Sequence, residues 1–238
     1  MINPIIPYAI RGAIWYQGEA NWDRPNEYAE LFTAMISAWR AQWGQGDFPF
    51  YFVQLPNYTD ERDSSQQAWA WIREAQTRTL DLPNTAMAVT IDSGDNNDIH
   101  PQNKPIVGQR LARLALAQVY GIECEWRGLA LKSAEPEGAT RCLRFDHADT
   151  GLIAKGDSPQ AFEVARSFRD FGFAPPNELQ IVCSNDEIEI PYKDVFAVVT
   201  VSIFQPLCLK PVDERFGLSR RSGCKYHACS ASYLYVLH

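Results

Sequence analysis

The stretch Thr90-Ile-Asp-Ser-Gly-Asp-Asn-Asn-Asp-Ile-His-Pro-Gln-Asn-Lys104 holds the residue types that move protons: three aspartates, Asp92, Asp95 and Asp98, followed by His100. Histidine is the usual general base near neutral pH, and a carboxylate beside it fixes its tautomer and stabilises its charged form. Asp, Asn and Gly are also good turn formers, so the same residues could serve only to turn the chain. An apolar run, Met87 to Ile91, feeds the loop, and a helical pattern begins at Pro105. A strand ending in such a loop before a helix puts its ionisable groups at the carboxyl edge of a sheet, where open α/β folds bind ligands.

The elements that must position these groups can be read from periodicity. Ile10-Arg-Gly-Ala-Ile-Trp-Tyr16 is a short apolar run of the buried-strand type, and it exits into Gln17-Gly18-Glu19-Ala20-Asn21. Apolar residues then recur at Tyr28, Leu31, Phe32, Met35, Ile36, Trp39 and Trp43, the spacing of an amphipathic helix. Asp23 or Asn26 can cap it, Glu27 and Glu30 suit its positive end, and Gly44 suits its stop. Phe50 to Leu55 reads as the second strand, about 67–80 as the second helix, Met87 to Ile91 as the third strand and Pro105 to Tyr120 as the third helix, with Val107, Leu111, Leu114 and Leu116 buried. Strands alternating with helices of this length predict βαβ units and a parallel sheet. Each strand exit carries polar groups: Gln17-Gly18-Glu19, then Gln54, then Asp92 to His100. Parallel strands bring those exits to one rim. A base, candidate acids and amide donors there outline a hydrolase-like site.

From Trp126 short candidate strands replace helices, at 129–134, 140–145, 162–165, 179–183, 187–190 and 195–204. The chain therefore divides into an α/β part over 1–125, a β-rich region over 126–204 and an irregular tail over 205–238. The tail lacks a periodic apolar face and is expected to be readily trimmed by protease.

Composition bounds the rest. With 238 residues and 46% hydrophobic residues the chain can bury a real core. A net charge of −7 without a basic patch argues against a nucleic-acid partner. No apolar run approaches the ~18 residues of a membrane span, and Met1-Ile-Asn-Pro4 does not read as a signal peptide. Six scattered cysteines make no disulfide framework and leave the compartment undecided.

Four blocks, Ile10-Arg-Gly-Ala-Ile-Trp-Tyr-Gln-Gly-Glu-Ala-Asn21, Pro49-Phe-Tyr-Phe-Val-Gln-Leu55, Arg73-Glu-Ala-Gln76 and Asn97-Asp-Ile-His-Pro101, resemble the sialate O-acetylesterases, carbohydrate esterases of the SGNH hydrolase superfamily. The resemblance covers about residues 2–125 and implies a flavodoxin-like three-layer α/β/α sheet, followed here by the β-rich region. It implies an acetylated carbohydrate as substrate, removal of acetyl groups by a serine nucleophile and a histidine base, and neither metal nor organic cofactor. Carried over by position, His100 matches the catalytic histidine. Gln17 and Gly18 match the block that supplies oxyanion-hole donors, and Glu19, in the same block, is given an orienting role. The acid partner is open. The superfamily often spaces Asp and His with two residues between, but that position is Asn97, which leaves Asp98 as first choice and Asp95 as second, or a dyad with no acid.

The chain departs from the family upstream. The family's serine precedes the Trp-Tyr-Gln-Gly-Glu block, yet only 14 residues precede Trp15 and none is serine. Ser37 and Ser93 do not fit, and Gly156-Asp157-Ser158 imitates the nucleophile tripeptide on the wrong side of the histidine. The expectation is a sheet incomplete at its amino end, in a chain that starts inside its domain. Tryptophans at helical spacing read as core, with sugar stacking as the alternative. His147 has no partner pattern, and Cys224, His227 and Cys229 lack a second pair at zinc spacing. Two functions stay open: an acetylesterase acting on sugars, or a non-catalytic carbohydrate-binding remnant of one. An exported location is common in the family, and the compartment of this chain is left unassigned.

Overall fold

Four consecutive apolar residues, Phe50-Tyr51-Phe52-Val53, are each no more than 5% exposed. A strand reaches that burial only with neighbours on both edges and a layer on both faces. The computed structural model supplies them. It describes residues 2–64, 68–128, 130–137 and 140–146, together with the backbone of short strands between 163 and 198. Phe50–Val53 is β2, and β1 (Ala13–Trp15) and β3 (Thr85–Ala88) pair with it in parallel, in the order β1-β2-β3. On the face of Phe50 and Phe52 lie α1 (Pro25–Trp43) and α2 (Ala68–Arg78), contributing Tyr28, Phe32, Ile36, Trp69, Ile72 and Ala75 to one core. On the face of Tyr51, Ala86 and Ala88 lies α3 (Lys104–Gln118), through Leu114. The result is a three-layer α/β/α arrangement: the parallel sheet is the one expected from the alternation of strands and helices, and the flavodoxin-like class is the one the resemblance implies.

The α1 stripe shows how the sequence achieves this. Tyr28, Phe32, Ile36 and Arg40 recur every fourth residue and are all buried. Phe32 meets Phe52 edge-on at 5.1 Å, and Trp39 meets Trp15 at 5.7 Å, so these tryptophans are packed as core. At the far end Gly44 takes φ 62 and its N–H bonds Arg40 O, the left-handed stop that a glycine permits. The start differs from expectation. Neither Asp23 nor Asn26 caps the helix; Arg24 is the N-cap residue without a side-chain cap bond, and Pro25 opens the first turn. Asp23 instead lies 3.5 Å from the Arg24 guanidinium.

The third strand also ends earlier than its apolar run, at Ala88 rather than Ile91, and Ile91–Ser93 forms a 3-10 turn. Two contacts bend the chain off the sheet. Thr90 donates its hydroxyl to Gln54 O at 2.6 Å, and the Arg110 guanidinium of α3 takes both Asp92 carboxylate oxygens. The loop is then zipped to the exit of β2: buried Asn57 donates to Asn96 Oδ1 at 2.8 Å, and Thr59 N–H donates to Asn96 O at 3.1 Å.

Beyond α3 the structure is strand-rich. β4 (Ala130–Glu137) and β5 (Thr140–Asp146) form an antiparallel hairpin, extended by β9 (Glu187–Ile190) and β8 (Val182–Ser184) into a sheet of order β4-β5-β9-β8. β6 (Glu163–Ser167), β7 (Asp170–Phe173) and β10 (Phe196–Val198) form a second sheet of order β10-β6-β7. β7 was not anticipated, because Asp-Phe-Gly-Phe is short and holds a glycine. His147, Ser158 and the tail from 205 lie outside the described residues. Among the described residues Cys124 is a free thiol, and no helix is long and apolar enough to cross a membrane.

The zipped loops leave no space at Gly94, where an added Cβ would lie 2.3 Å from Asn57 Oδ1 and 2.4 Å from Asn57 O. Gly94→Ala should therefore push the two exit loops apart and lower stability by about 1–3 kcal/mol. Urea unfolding monitored by tryptophan fluorescence measures this, and an unchanged midpoint would show that the loops do not pack as described.

Candidate active site

All three strands point the same way, so their carboxyl ends form one rim. The first exit, Tyr16-Gln17-Gly18, is built against the core. Gly18 is buried with φ 158, and a Cβ on it would lie 3.1 Å from Leu55 Cδ1 and 3.3 Å from Gln76 Nε2. Only glycine lets the backbone pass so close. The Gln17 side chain donates to Asn21 Oδ1 at 2.8 Å, across the 3-10 turn Glu19–Asn21. Glu19 opens that turn. Burial, reinforced by the Glu19 charge, pushes the Tyr16 phenol up to about 12.

The third exit carries the histidine. His100 is 83% exposed, and its Nδ1 lies 3.5 Å from Asp98 Oδ1. Asp98 also accepts the His100 backbone N–H at 2.8 Å and the Gln102 amide at 3.0 Å. These donors, the backbone N–H first, hold its carboxyl below the usual range. The three aspartates thus have three separate duties. Asp92 is locked in the Arg110 fork. Asp95 accepts the Asn97 N–H at 2.9 Å and shapes the turn. Asp98 alone of the three stands beside the imidazole.

The first and third exits meet. The Lys104 ammonium lies 5.6 Å over the Tyr16 ring, and Ile99 packs against the same core as Tyr16 and Trp22. Gln17, Gly18, Glu19 and His100 therefore share an edge, although the histidine stands on an open shelf rather than in a closed pocket. A hollow of about 400 Å³ lies at the opposite edge, lined in part by Ser37, Arg40, Asp47 and Pro83. There the Arg40 guanidinium is already bonded to the carbonyls of Phe48, Pro83 and Asn84, so that hollow offers structure and no chemistry. Among the described residues no cluster of three metal-ligating side chains is present.

Sequence reasoning missed the residues that brace this rim. Gln76, fully buried on α2, accepts the Leu55 N–H at 2.9 Å and donates to Val53 O at 3.2 Å and Gln17 O at 3.3 Å. Its signal was present in Arg73-Glu-Ala-Gln76, a block noted only for its resemblance. On the second exit, buried Asp60 holds Arg62 through both oxygens, and Arg62 stands 5.3 Å over the Trp22 ring.

A parallel sheet covered by helices on both faces, with a histidine-bearing loop and a buried glycine turn on its carboxyl rim, is an SGNH-type α/β fold. Residues 3–117 match the family described as carbohydrate esterase, sialic acid-specific acetylesterase (SASA). The sialate O-acetylesterase of Mus musculus is 38% identical over 139 residues, which are 51% of this chain and 26% of that protein. The Homo sapiens protein of the same name is 34% identical over 139 residues, with the same coverage. A crystal structure of a carbohydrate acetylesterase from Xanthomonas citri superposes with a TM-score of 0.74 at 37% identity, covering 84% of this chain and 46% of that one. The chain thus spans about a quarter of the curated relatives' length and under half of the solved esterase.

The Asp60–Arg62 pair makes a pH signature. Hydrogen bonding to Arg62, against the opposing effect of burial, holds the Asp60 carboxyl at about 2. In the unfolded chain it titrates near its ordinary value of about 3.9. A depressed folded-state pKa adds stability that is complete above the unfolded value and disappears as pH falls through the folded one. Asp60→Asn should accordingly be less stable than the parent above about pH 4, and the difference should close as the pH is taken down to about 2. Urea midpoints of both proteins across that range measure it; a gap that widens on acidification would contradict the pairing.

Proposed function

We propose that this chain is part of a carbohydrate O-acetylesterase that removes acetyl groups from sugar hydroxyls by a serine/histidine mechanism. The observation that carries the reading is the Asp98–His100 pair, 3.5 Å apart, on the rim that also holds Gln17 and Gly18. The names of the mouse and human relatives and of the Xanthomonas esterase support the substrate class. In this mechanism a serine Oγ attacks the acetyl carbonyl while His100 accepts its proton through Nε2. Asp98 orients Nδ1 and balances the imidazolium charge. Gln17 and Gly18 donate to the carbonyl oxygen as it becomes an anion, a contribution of about 3–4 kcal/mol for a well-aimed donor. Glu19 orients the Gln17–Gly18 turn. The sugar oxygen leaves with the proton from His100, and water then attacks the acetyl-serine through the same base, releasing acetate.

One observation favours the second reading, a carbohydrate-binding remnant without catalysis. Among the described serines, Ser37 and Ser93 give their hydroxyls to the carbonyls of Thr33 and Thr90, and none is bonded to His100. A serine hydrolase deprived of its serine loses about 10⁶-fold in turnover. The 238-residue chain alone should therefore barely hydrolyse p-nitrophenyl acetate and should resist a fluorophosphonate probe. Joining a family member's Gly-x-Ser strand ahead of it should bring activity that His100→Ala then removes. Activity that survives His100→Ala in that fusion would defeat the esterase mechanism. Stoichiometric labelling of a serine in the chain alone, with matching loss of hydrolysis, would defeat the remnant.

A further inference from the structure

The Gln17–Gly18 peptide is held by one side only. Its carbonyl oxygen accepts two buried side-chain donors, the Tyr28 hydroxyl at 2.9 Å and the Gln76 amide at 3.3 Å. No acceptor takes the Gly18 N–H among the described residues, whereas the Gly18 carbonyl is used by the Asn21 N–H at 2.8 Å. In a trans peptide the C=O and N–H point in opposite directions. Pinning the oxygen toward α1 and α2 therefore turns the Gly18 N–H away from those helices. The peptide packs closely on these elements: a Cβ at Gly18 would lie 3.1 Å from Leu55 Cδ1 and 3.3 Å from Gln76 Nε2.

We propose that Tyr28 and Gln76 are positioning residues that fix the Gln17–Gly18 peptide so that its N–H meets a developing oxyanion. The proposal rests on the esterase reading of this rim and adds how the donor is aimed. Both residues suit the task. Tyr28 is 3% exposed and its ring packs on Phe32 at 5.4 Å, so its hydroxyl is delivered by the core of the fold. Burial first, with a smaller push from the Glu19 charge and against the Gln76 and Trp15 donors, raises its phenol to about 12, so it stays a donor throughout the working range of a histidine base. Gln76 has no freedom to turn away, because its oxygen is bound to the Leu55 N–H and its nitrogen also to Val53 O. Two donors on one carbonyl also polarise the peptide and make its N–H a stronger donor. A donor aimed before the reaction needs no reorganisation when charge develops, which is the source of its catalytic value.

The test reads the peptide itself in the full 238-residue chain. The Gly18 ¹H–¹⁵N signal and the His100 ring signals are followed while methylphosphonate, a small tetrahedral anion, is titrated in. In the parent the Gly18 amide should exchange freely with water and should move with the anion. In Tyr28→Phe, which keeps the ring, the Gly18 signal should lose most of that movement while the His100 signals still respond and the melting temperature stays close to the parent's; in Gln76→Glu, which keeps the acceptor for Leu55 but sets a buried carboxyl against two carbonyls and so melts lower, the folded protein should lose the Gly18 response likewise. Full retention of the Gly18 response in either folded variant would overturn the positioning role and leave the esterase reading intact. A parent chain in which Gly18 and His100 both ignore the anion would instead overturn the oxyanion reading beneath it. A Gly18 amide protected from exchange in the parent would show that the N–H points inward, and would overturn the proposal without any variant.

Discussion

Backbone groups at the end of a buried strand have left the ladder but not yet reached water, and each needs a partner. That constraint organises this protein. At the carboxyl rim the Gln76 amide answers Leu55, Val53 and Gln17, Thr90 answers Gln54 O, and Tyr28 answers Gln17 O. At the opposite edge Arg40 answers the carbonyls of Phe48, Pro83 and Asn84. Three of the buried polar residues of the α/β part, Arg40, Gln76 and Thr90, close strand ends, and the candidate site lies on the rim that Gln76 and Thr90 brace.

The loop with the aspartates shows how charge is partitioned once the fold is closed. Asp92 and Asp98 lie six positions apart in one segment and differ completely in duty. The first is fixed to Arg110 and ties the loop to α3; the second faces His100 and Gln102. Tying the loop down at one carboxylate is what leaves the other at a defined distance from the imidazole.

Much of this was legible in the sequence, and what was not has physical causes. The stripe from Tyr28 to Trp43 announces α1 because burial of one helical face imposes its period. The polar strand exits announce the rim because the strands are parallel. The true end of β3 was hidden, since Val89, Thr90 and Ile91 are good strand formers by type and only the long-range bonds to Gln54 and Arg110 bend them away. The cap of α1 misled because Asp23 has an arginine beside it that competes for its carboxylate. Asn57 was silent and Gln76 was marked only by the block it sits in, because a buried amide in a sequence looks like a surface one until its partners are assembled around it.

The strand-end groups that Gln76 and Arg40 bond are all main-chain atoms, with the Asp47 carboxylate 3.7 Å from Arg40 as a side-chain partner besides. A lost side-chain partner can be restored by changing the residue opposite, as happens across many packed pairs. A carbonyl oxygen is the same whatever residue carries it, so no substitution at Gln17, Val53, Leu55, Phe48 or Pro83 can reshape itself to repair a loss at 76 or 40. Genetic suppressors of such losses must therefore arise elsewhere, by raising the stability of the whole α/β part rather than by mending the contact.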